Sequence, residues 1–422
     1  MPAPPAHPRL SLRIEASSGA ARAATFEVRH GKVRTPAFMP CATGASLKGL
    51  TQHHLEAIAP EVLLANTYHL HLRPGEGVVR ALGGLHGFTG WQRPWITDSG
   101  GYQVFSLAAR SAVDEEGVTV KSHLDGEVVR LGPREAMAIQ EALGADLVMA
   151  FDHCLGLPAS RADLEAALAR TTRWTERCAR ARTRDDQALL GIVQGGADLE
   201  LRERSARELV ALDLPGYALG GLAVGEAPEV RQAVLEHTVP LLPADRPRYL
   251  MGVGRPQDLL RGVAAGIDLF DCVLPTRNGR RGYLFTRDGV VRVAQKAHEL
   301  DAGPLEPGCP CETCRTCSRA YLRHLFATDE HSATTLGSLH NVTFLVQLLR
   351  EAREHLLAGD FQPWSAAWLA RYEAGERAWQ EAHAQDPEGA AGSRRAREEQ
   401  RARAARRPGR VDPKRASGPG PS

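Results

Sequence analysis

Residues 189–226, LLGIVQGGADLELRERSARELVALDLPGYALGGLAVGE, hold two short apolar runs with one amphipathic segment between them. LLGIV and YAL each close on small or polar residues, while DLELRERSARELVAL carries apolar side chains at three- and four-residue spacing and reads as a helix. A strand buried on both faces, a returning helix and another such strand form the unit of a parallel sheet covered on its outside. The same unit recurs on either side. PAFMPCAT, EVLLANTYH, WITDSGG and ADLVMAFDH precede it, RYLMGVG and IDLFDC follow, and RADLEAALARTTRWTERCARAR and PEVRQAVLEHTVPLL supply further helices. Eight strand–helix units predict an α/β fold of the (β/α)8 TIM-barrel type, with a doubly wound open sheet as the alternative.

Two insertions and two tails interrupt the rhythm. Residues 112–133 alternate apolar and polar side chains around Asp125-Gly126 and read as a β-hairpin; residues 275–340 hold a cysteine cluster and are expected to form a zinc-binding subdomain near the C-terminus. NVTFLVQLLREAREHLL then closes the barrel. Residues 1–10, rich in Pro and Ala, and 386–422, low in complexity and rich in Arg, are expected to be disordered, leaving 11–385 as the catalytic unit. The chain of 422 residues carries 52 Lys and Arg against 50 Asp and Glu, so any surface for an acidic partner has to be a local patch. Neither a secretory signal nor a long apolar span is apparent, and a cytoplasmic protein without membrane contact is expected. Four of the eight cysteines crowd into CPCETCRTC, which suits a metal better than a disulfide framework.

In such a barrel the chemistry is built at the carboxyl ends of the strands. Asn66, Thr67, Asp98, Ser99, Asp152, Gln194, Gly220, Gly221, Glu226, Gly252, Gly254 and Asp271 all fall there. A lone aspartate at a strand end is commonly a turn or helix cap. Many polar ends converging on one rim are a different matter, and Asp98 with Asp271 become candidates for a nucleophile and an acid/base acting at a glycosidic carbon. Asp152 can accept two donors in a fork and Gln194 can donate, which matches the pairing edge of guanine; glycine at 220 and 221 lets a backbone N–H approach that edge.

Cys309, Cys311 and Cys314 put three thiolates in one tight loop, with Cys317, His324, His331 and His340 all eligible as a fourth zinc ligand; a closed site of four is structural rather than catalytic. PTRNGRRGYLFTR, directly after Asp271, offers Arg277, Arg280, Arg281 and Arg287. On its own this run reads as a solvated loop, and beside a base-reading pocket it reads as a phosphate contact for RNA.

The stretches TDSGGYQVFSL, FDHC, GIVQGG, LGGLAVGE, MGVG, LFDCVLPTRNGRRG and CPCETC with its distal His occur in this order, and from about residue 10 to 380 the chain resembles the bacterial queuine tRNA-ribosyltransferases, or tRNA-guanine transglycosylases. The resemblance implies exchange of guanine at the wobble position of tRNAs with GUN anticodons (Asp, Asn, His, Tyr) for 7-aminomethyl-7-deazaguanine, by double displacement through a covalent enzyme–RNA intermediate, in queuosine biosynthesis. Carried over by position, Asp271 resembles the nucleophile and Asp98 the general acid/base. Asp152, Gln194 and Gly221 resemble the groups that read the base edge, and Tyr102 and Met251 the two faces between which the base stacks. Cys154 and Val224 fit the smaller aminomethyl substrate, whose ammonium would be accepted by Glu226 and the Leu222 carbonyl. The resemblance also implies one structural zinc per subunit on Cys309, Cys311, Cys314 and His340, with Cys317 an extra thiol, a partner in the tRNA anticodon loop, and a homodimer. The competing enzyme class is a nucleosidase or glycoside hydrolase, in which water resolves the intermediate; a non-catalytic RNA-binding subunit has no need of both Asp98 and Asp271. Metal-dependent hydrolysis lacks a His-rich open site.

Overall fold

The computed structural model describes residues 10–101, 111–122 and 124–384. Tyr102, His123 and the expected disordered stretches, apart from Leu10, lie outside the described residues. The eight apolar runs form eight parallel strands, Ala37–Pro40, Leu63–Asn66, Trp95–Asp98, Leu147–Met149, Ala188–Val193, Gly216–Leu219, Arg248–Leu250 and Leu269–Cys272. Each pairs with its sequence neighbours, and the last pairs with the first through Leu269↔Ala37 to Cys272↔Pro40. A bridge between Cys41 and Leu64, with the Ala42 N–H on the Leu64 carbonyl at 2.7 Å, joins the first strand to the second. The sheet is a (β/α)8 barrel, not an open layer.

Side chains along each strand alternate between two apolar clusters, as the period of two requires. Met39, Leu64, Ile96, Leu147, Met149, Leu190, Ile192, Ala218, Tyr249 and Leu269 fill the barrel, whereas Phe38, Leu63, Ala65, Trp95, Val148, Leu189, Val193, Leu219, Leu250 and Phe270 pack outward against the helices. Continuing the inward series by one step reaches Cys41, Asn66, Asp98, Gln194, Gly220, Met251 and Asp271 on seven of the strands; on the fourth it reaches Phe151, which packs outward, and Asp152 comes next. Apart from Asp152, the polar set at the mouth is therefore the extension of the core register.

The other end is closed by an element absent from the sequence reading. Strands Arg13–Ser18, Ala21–Val28 and Gly31–Thr35 form an antiparallel sheet whose Phe26 and Val33, with Leu10 and Leu12, complete the interior cluster. Arg22 fastens it: Nε donates to Asp268 Oδ1 at 2.9 Å and Nη2 to Oδ2 at 2.5 Å, at the foot of the last strand. Residues 111–131 form three antiparallel strands, Ser111–Val113, Val118–Lys121 and Val128–Leu131.

The cysteine-bearing insertion packs a hairpin, Tyr283–Thr286 with Gly289–Arg292, over helices Glu312–Thr316 and Arg319–Ala327, around Leu284, Val293, Leu305 and Leu322. The closing helix begins earlier than the sequence reading placed it. It runs unbroken from His331 to Ala358, since no Pro interrupts the segment and its glycine, Gly337, meets the Gly279 backbone too closely for a side chain. One helix thus serves both the insertion and the barrel wall.

Candidate active site

Asp271 is the penultimate residue of the eighth strand and faces into the barrel mouth. Its Oδ1 accepts from the Tyr249 hydroxyl at 2.6 Å and from the Gly252 N–H at 2.8 Å, and its Oδ2 accepts from the Cys41 thiol at 3.3 Å. Burial raises its pKa against these three donors. Asp98 ends the third strand. Its Oδ2 accepts from Asn66 Nδ2 at 2.5 Å, its Oδ1 from the N–H groups of Thr67 at 3.1 Å and Gly100 at 3.2 Å, and the Thr67 hydroxyl holds its backbone carbonyl. Asn66 stands directly opposite Asp98 across the strand pair and also caps the following helix through His69 N–H at 2.9 Å. Burial, with a smaller push from the Asp271 charge, raises the Asp98 pKa to about 7. One carboxyl thus titrates near neutrality opposite another held by donors, an arrangement suited to proton transfer beside nucleophilic attack.

Asp152 follows the fourth strand and is buried. Its Oδ2 accepts from Gln194 Nε2 at 2.7 Å and its Oδ1 from the Ser99 hydroxyl at 3.4 Å; burial raises its pKa to about 6. The Gln194 N–H donates to Ser205 Oγ at 3.0 Å. A Cβ on Gly221, where φ is +63°, would lie 2.5 Å from Gln194 Oε1, so the amide and the glycine backbone approach as closely as only glycine permits.

Beneath this pair lies Arg202, which the sequence reading did not single out. Its fully buried guanidinium donates to the carbonyls of Gly196 (2.8 Å), Val193 (2.9 Å), Gly220 (2.8 Å) and Gly221 (3.4 Å), tying the loops that carry Gln194 and Gly221. Burial lowers its pKa to about 10. The signal was available, because Arg202 shares a helical face with buried Ser205 and Leu209. Tyr249 and Cys41 were also passed over. Both sit inside apolar runs, where their polar atoms give no sequence signal.

Cys154 and Leu222 are buried, and Val224 and Met251 half-buried, around the same mouth. Glu226 turns its carboxylate back on its own loop, accepting from Ala223 N–H at 2.6 Å and Val224 N–H at 3.1 Å, and pairs with Arg231 at 3.2 Å. Arg277, Arg280 and Arg281 lie on or just after the short helix Leu274–Gly279 that follows Asp271; Arg277 and Arg281 are exposed and Arg280 is half-buried. Arg287 departs from the basic patch: it pairs with Glu351 at 2.5 Å and lies 3.7 Å from Glu306.

Cys309, Cys311, Cys314 and His340 bring one ligand atom each within 4.8 Å of one another. His340 Nδ1 lies 3.9, 3.6 and 3.2 Å from the three sulfurs in turn, while its Nε2, 2.6 Å from the Phe285 carbonyl, carries the proton and leaves Nδ1 free to ligate. Three thiolates and one imidazole could hold a tetrahedral metal, and with every position taken by protein the site is closed. Cys317, His324 and His331 stand outside the cluster. Asn341 carries the connection onward, donating to the carbonyls of Tyr283 (2.9 Å) and Pro275 (3.1 Å), and Pro275 belongs to the arginine-bearing helix.

No helix among the described residues is long and apolar enough to cross a membrane. The model of the family described as Queuine tRNA-ribosyltransferase matches residues 17–374. A queuine tRNA-ribosyltransferase of Thermus thermophilus is 53% identical over 360 residues, covering 85% of this chain and 94% of the relative. One of Herpetosiphon aurantiacus is 50% identical over 360 residues, covering 85% and 92%, and one of Moorella thermoacetica is 48% identical over 365 residues, covering 86% and 98%. With a continuous match over the whole barrel and the cysteine insertion, the chain belongs to the queuine tRNA-ribosyltransferase family, the tRNA-guanine transglycosylases.

Proposed function

We propose that this enzyme exchanges guanine at the wobble position of tRNAs with GUN anticodons for 7-aminomethyl-7-deazaguanine, through a covalent enzyme–RNA intermediate. The observation that carries the reading is the pair of mouth-facing carboxyls, Asp271 held by three donors and Asp98 titrating at about 7. An Asp271 oxygen attacks the ribose anomeric carbon as the bond from that carbon to the guanine nitrogen breaks, and the electron pair leaves with the base, which takes a proton from Asp98. The incoming base then gives its ring proton to Asp98 and attacks the same carbon, returning the bonding pair to the Asp271 carboxylate. The backbone stays intact and no outside reagent is consumed.

In this reading Asp152 accepts the base N1–H and N2–H2, Gln194 and the Gly221 N–H face O6, and Tyr102 and Met251 cover the two ring faces. Cys154 and Val224 leave room for the aminomethyl group, with Glu226 and the Leu222 carbonyl as its acceptors. Arg277, Arg280 and Arg281 contact phosphates of the anticodon loop. Zinc fits the three-thiolate, one-imidazole donor set and would be held by Cys309, Cys311, Cys314 and His340, where it would supply rigidity and take no part in bond making. The tRNA substrate places the reaction in the cytoplasm, and a homodimer belongs to the same reading.

Denaturing electrophoresis of the protein mixed with a GUN tRNA should show an RNA-linked band that disappears in Asp271→Ala, along with exchange of labelled guanine. Wild-type exchange by that variant would remove Asp271 from the role. Guanine release without incorporation of a new base would favour the hydrolase.

A further inference from the structure

The two oxygens of the Asp271 carboxyl are held unequally. Oδ1 takes both strong donors, the Tyr249 hydroxyl at 2.6 Å and the Gly252 N–H at 2.8 Å, while among the described residues Oδ2 accepts only from the Cys41 thiol, at 3.3 Å. A thiol is a weak donor, and a carboxylate oxygen contacted by it alone keeps more of its electron density for attack than one fixed by an O–H and an N–H. Cys41 is one inward step beyond Met39 on the first strand, next to the eighth in the ring, so the barrel register itself brings the sulfur alongside the carboxylate.

We propose that Oδ2 is the oxygen that bonds to the ribose, and that Cys41 is a positioning residue that fixes the carboxylate plane from the Oδ2 side. The proposal rests on the role given to Asp271 above. When Oδ2 forms its bond to the anomeric carbon, Oδ1 becomes the carbonyl oxygen of the ester and keeps its two donors. When the incoming base breaks that bond, the pair returns to Oδ2 and the thiol takes up its contact again. A hydroxyl in place of the thiol would hold Oδ2 more tightly and blunt its attack; an apolar side chain would free the carboxylate to rotate and would weaken its charged form.

The thiol is suited to this role because it stays protonated: burial, then the Asp271 charge, pushes its pKa well above the ordinary thiol range. The titratable groups facing the Asp271 carboxyl are Cys41 from the first strand end, Tyr249 from the seventh strand, Cys272 beside it and Asp98 across the mouth.

The test uses full-length Cys41→Val and Cys41→Ser with a GUN tRNA, measuring kcat and KM for labelled guanine exchange across pH 5–9, and the tRNA Kd. In Cys41→Val the acid limb of the kcat profile should move up by roughly half to one pH unit, lowering kcat about three- to tenfold on the sloping part of that limb, with the tRNA Kd within about twofold of wild type. Cys41→Ser should return the limb to the wild-type position or below it, with a lower kcat on the plateau than wild type. A Cys41→Val profile superimposable on wild type would overturn the proposal. So would an equal loss at every pH with Kd raised in parallel, which marks a packing role only. Failure of the wild-type protein to form an RNA-linked band would instead remove the underlying function.

Discussion

Asp152 offers a sharp perturbation because it is buried, hydrogen-bonded to Gln194 at 2.7 Å and Ser99 at 3.4 Å, and has its pKa raised to about 6. A base that presents two N–H donors binds the ionised carboxylate and excludes the acid, so binding near pH 6 releases a proton. The apparent Kd then scales with one plus the ratio of acid to carboxylate, giving affinity about 11-fold weaker at pH 5 and about 1.1-fold weaker at pH 7 than the high-pH limit. Asp152→Asn turns an amide N–H2 toward donors and loses two charge-assisted contacts, each of about 1.5–3 kcal/mol. Taking the lower bound for both gives about 3 kcal/mol, or at least about 100-fold in Kd. Titration calorimetry of 7-aminomethyl-7-deazaguanine against wild type and Asp152→Asn between pH 5 and 8 reads both effects. Asp98, at about 7, is common to the two proteins, so the slope that vanishes in the variant belongs to Asp152. A variant binding within threefold of wild type, or a wild-type affinity flat from pH 5 to 7, would refute the assignment.

Chelation, or Cys311→Ser, should lower the melting temperature and weaken tRNA binding more than it lowers kcat at saturating tRNA, because the cluster reaches the RNA-facing helix through His340 and Asn341; an unchanged melt and unchanged tRNA Kd would count against a structural metal. Arg202→Met deprives the Gly196 and Gly220 carbonyls of their guanidinium partner while Val193 keeps the Gly220 N–H at 3.1 Å, about 1–3 kcal/mol for each orphaned carbonyl before relief of the buried charge. Its KM for the incoming base should rise at least about tenfold through displacement of Gln194 and Gly221, and steady-state kinetics matching wild type would show that the clamp does not position the pocket. Arg277→Ala should make the plot of log affinity for tRNA against log salt shallower by roughly 0.7–0.9 and leave kcat at saturation unchanged; a slope equal to wild type would place that guanidinium away from phosphate.

The barrel was legible because each strand is buried on both faces, and a run such as LLGIV or YLM has no other stable home in a chain of this kind. Asp98, Asp152, Gln194 and Asp271 were legible for a related reason, as polar residues that end apolar runs. What stayed hidden depended on register. Tyr249 and Cys41 read as core, and it is only the inward parity of their strands that turns the hydroxyl and thiol toward Asp271. The N-terminal sheet is short and rich in Ala and Arg, and its buried Arg22 finds its carboxylate 246 residues away, a pairing that no local pattern encodes. The ion pairs of Arg287 were hidden for the same reason, since Glu306 and Glu351 arrive from distant segments.

The helix His331–Ala358 carries His340 in its third turn and Leu345, Leu348 and Leu349 in the shell around the barrel. It is a single stiff rod with an anchor at one end and the cylinder at the other, so torque applied at the anchor reaches the rim instead of dissipating in a linker. Excising the cysteine lobe as a module, or grafting it elsewhere, would cut that rod and leave the arginines beside Asp271 without a strut.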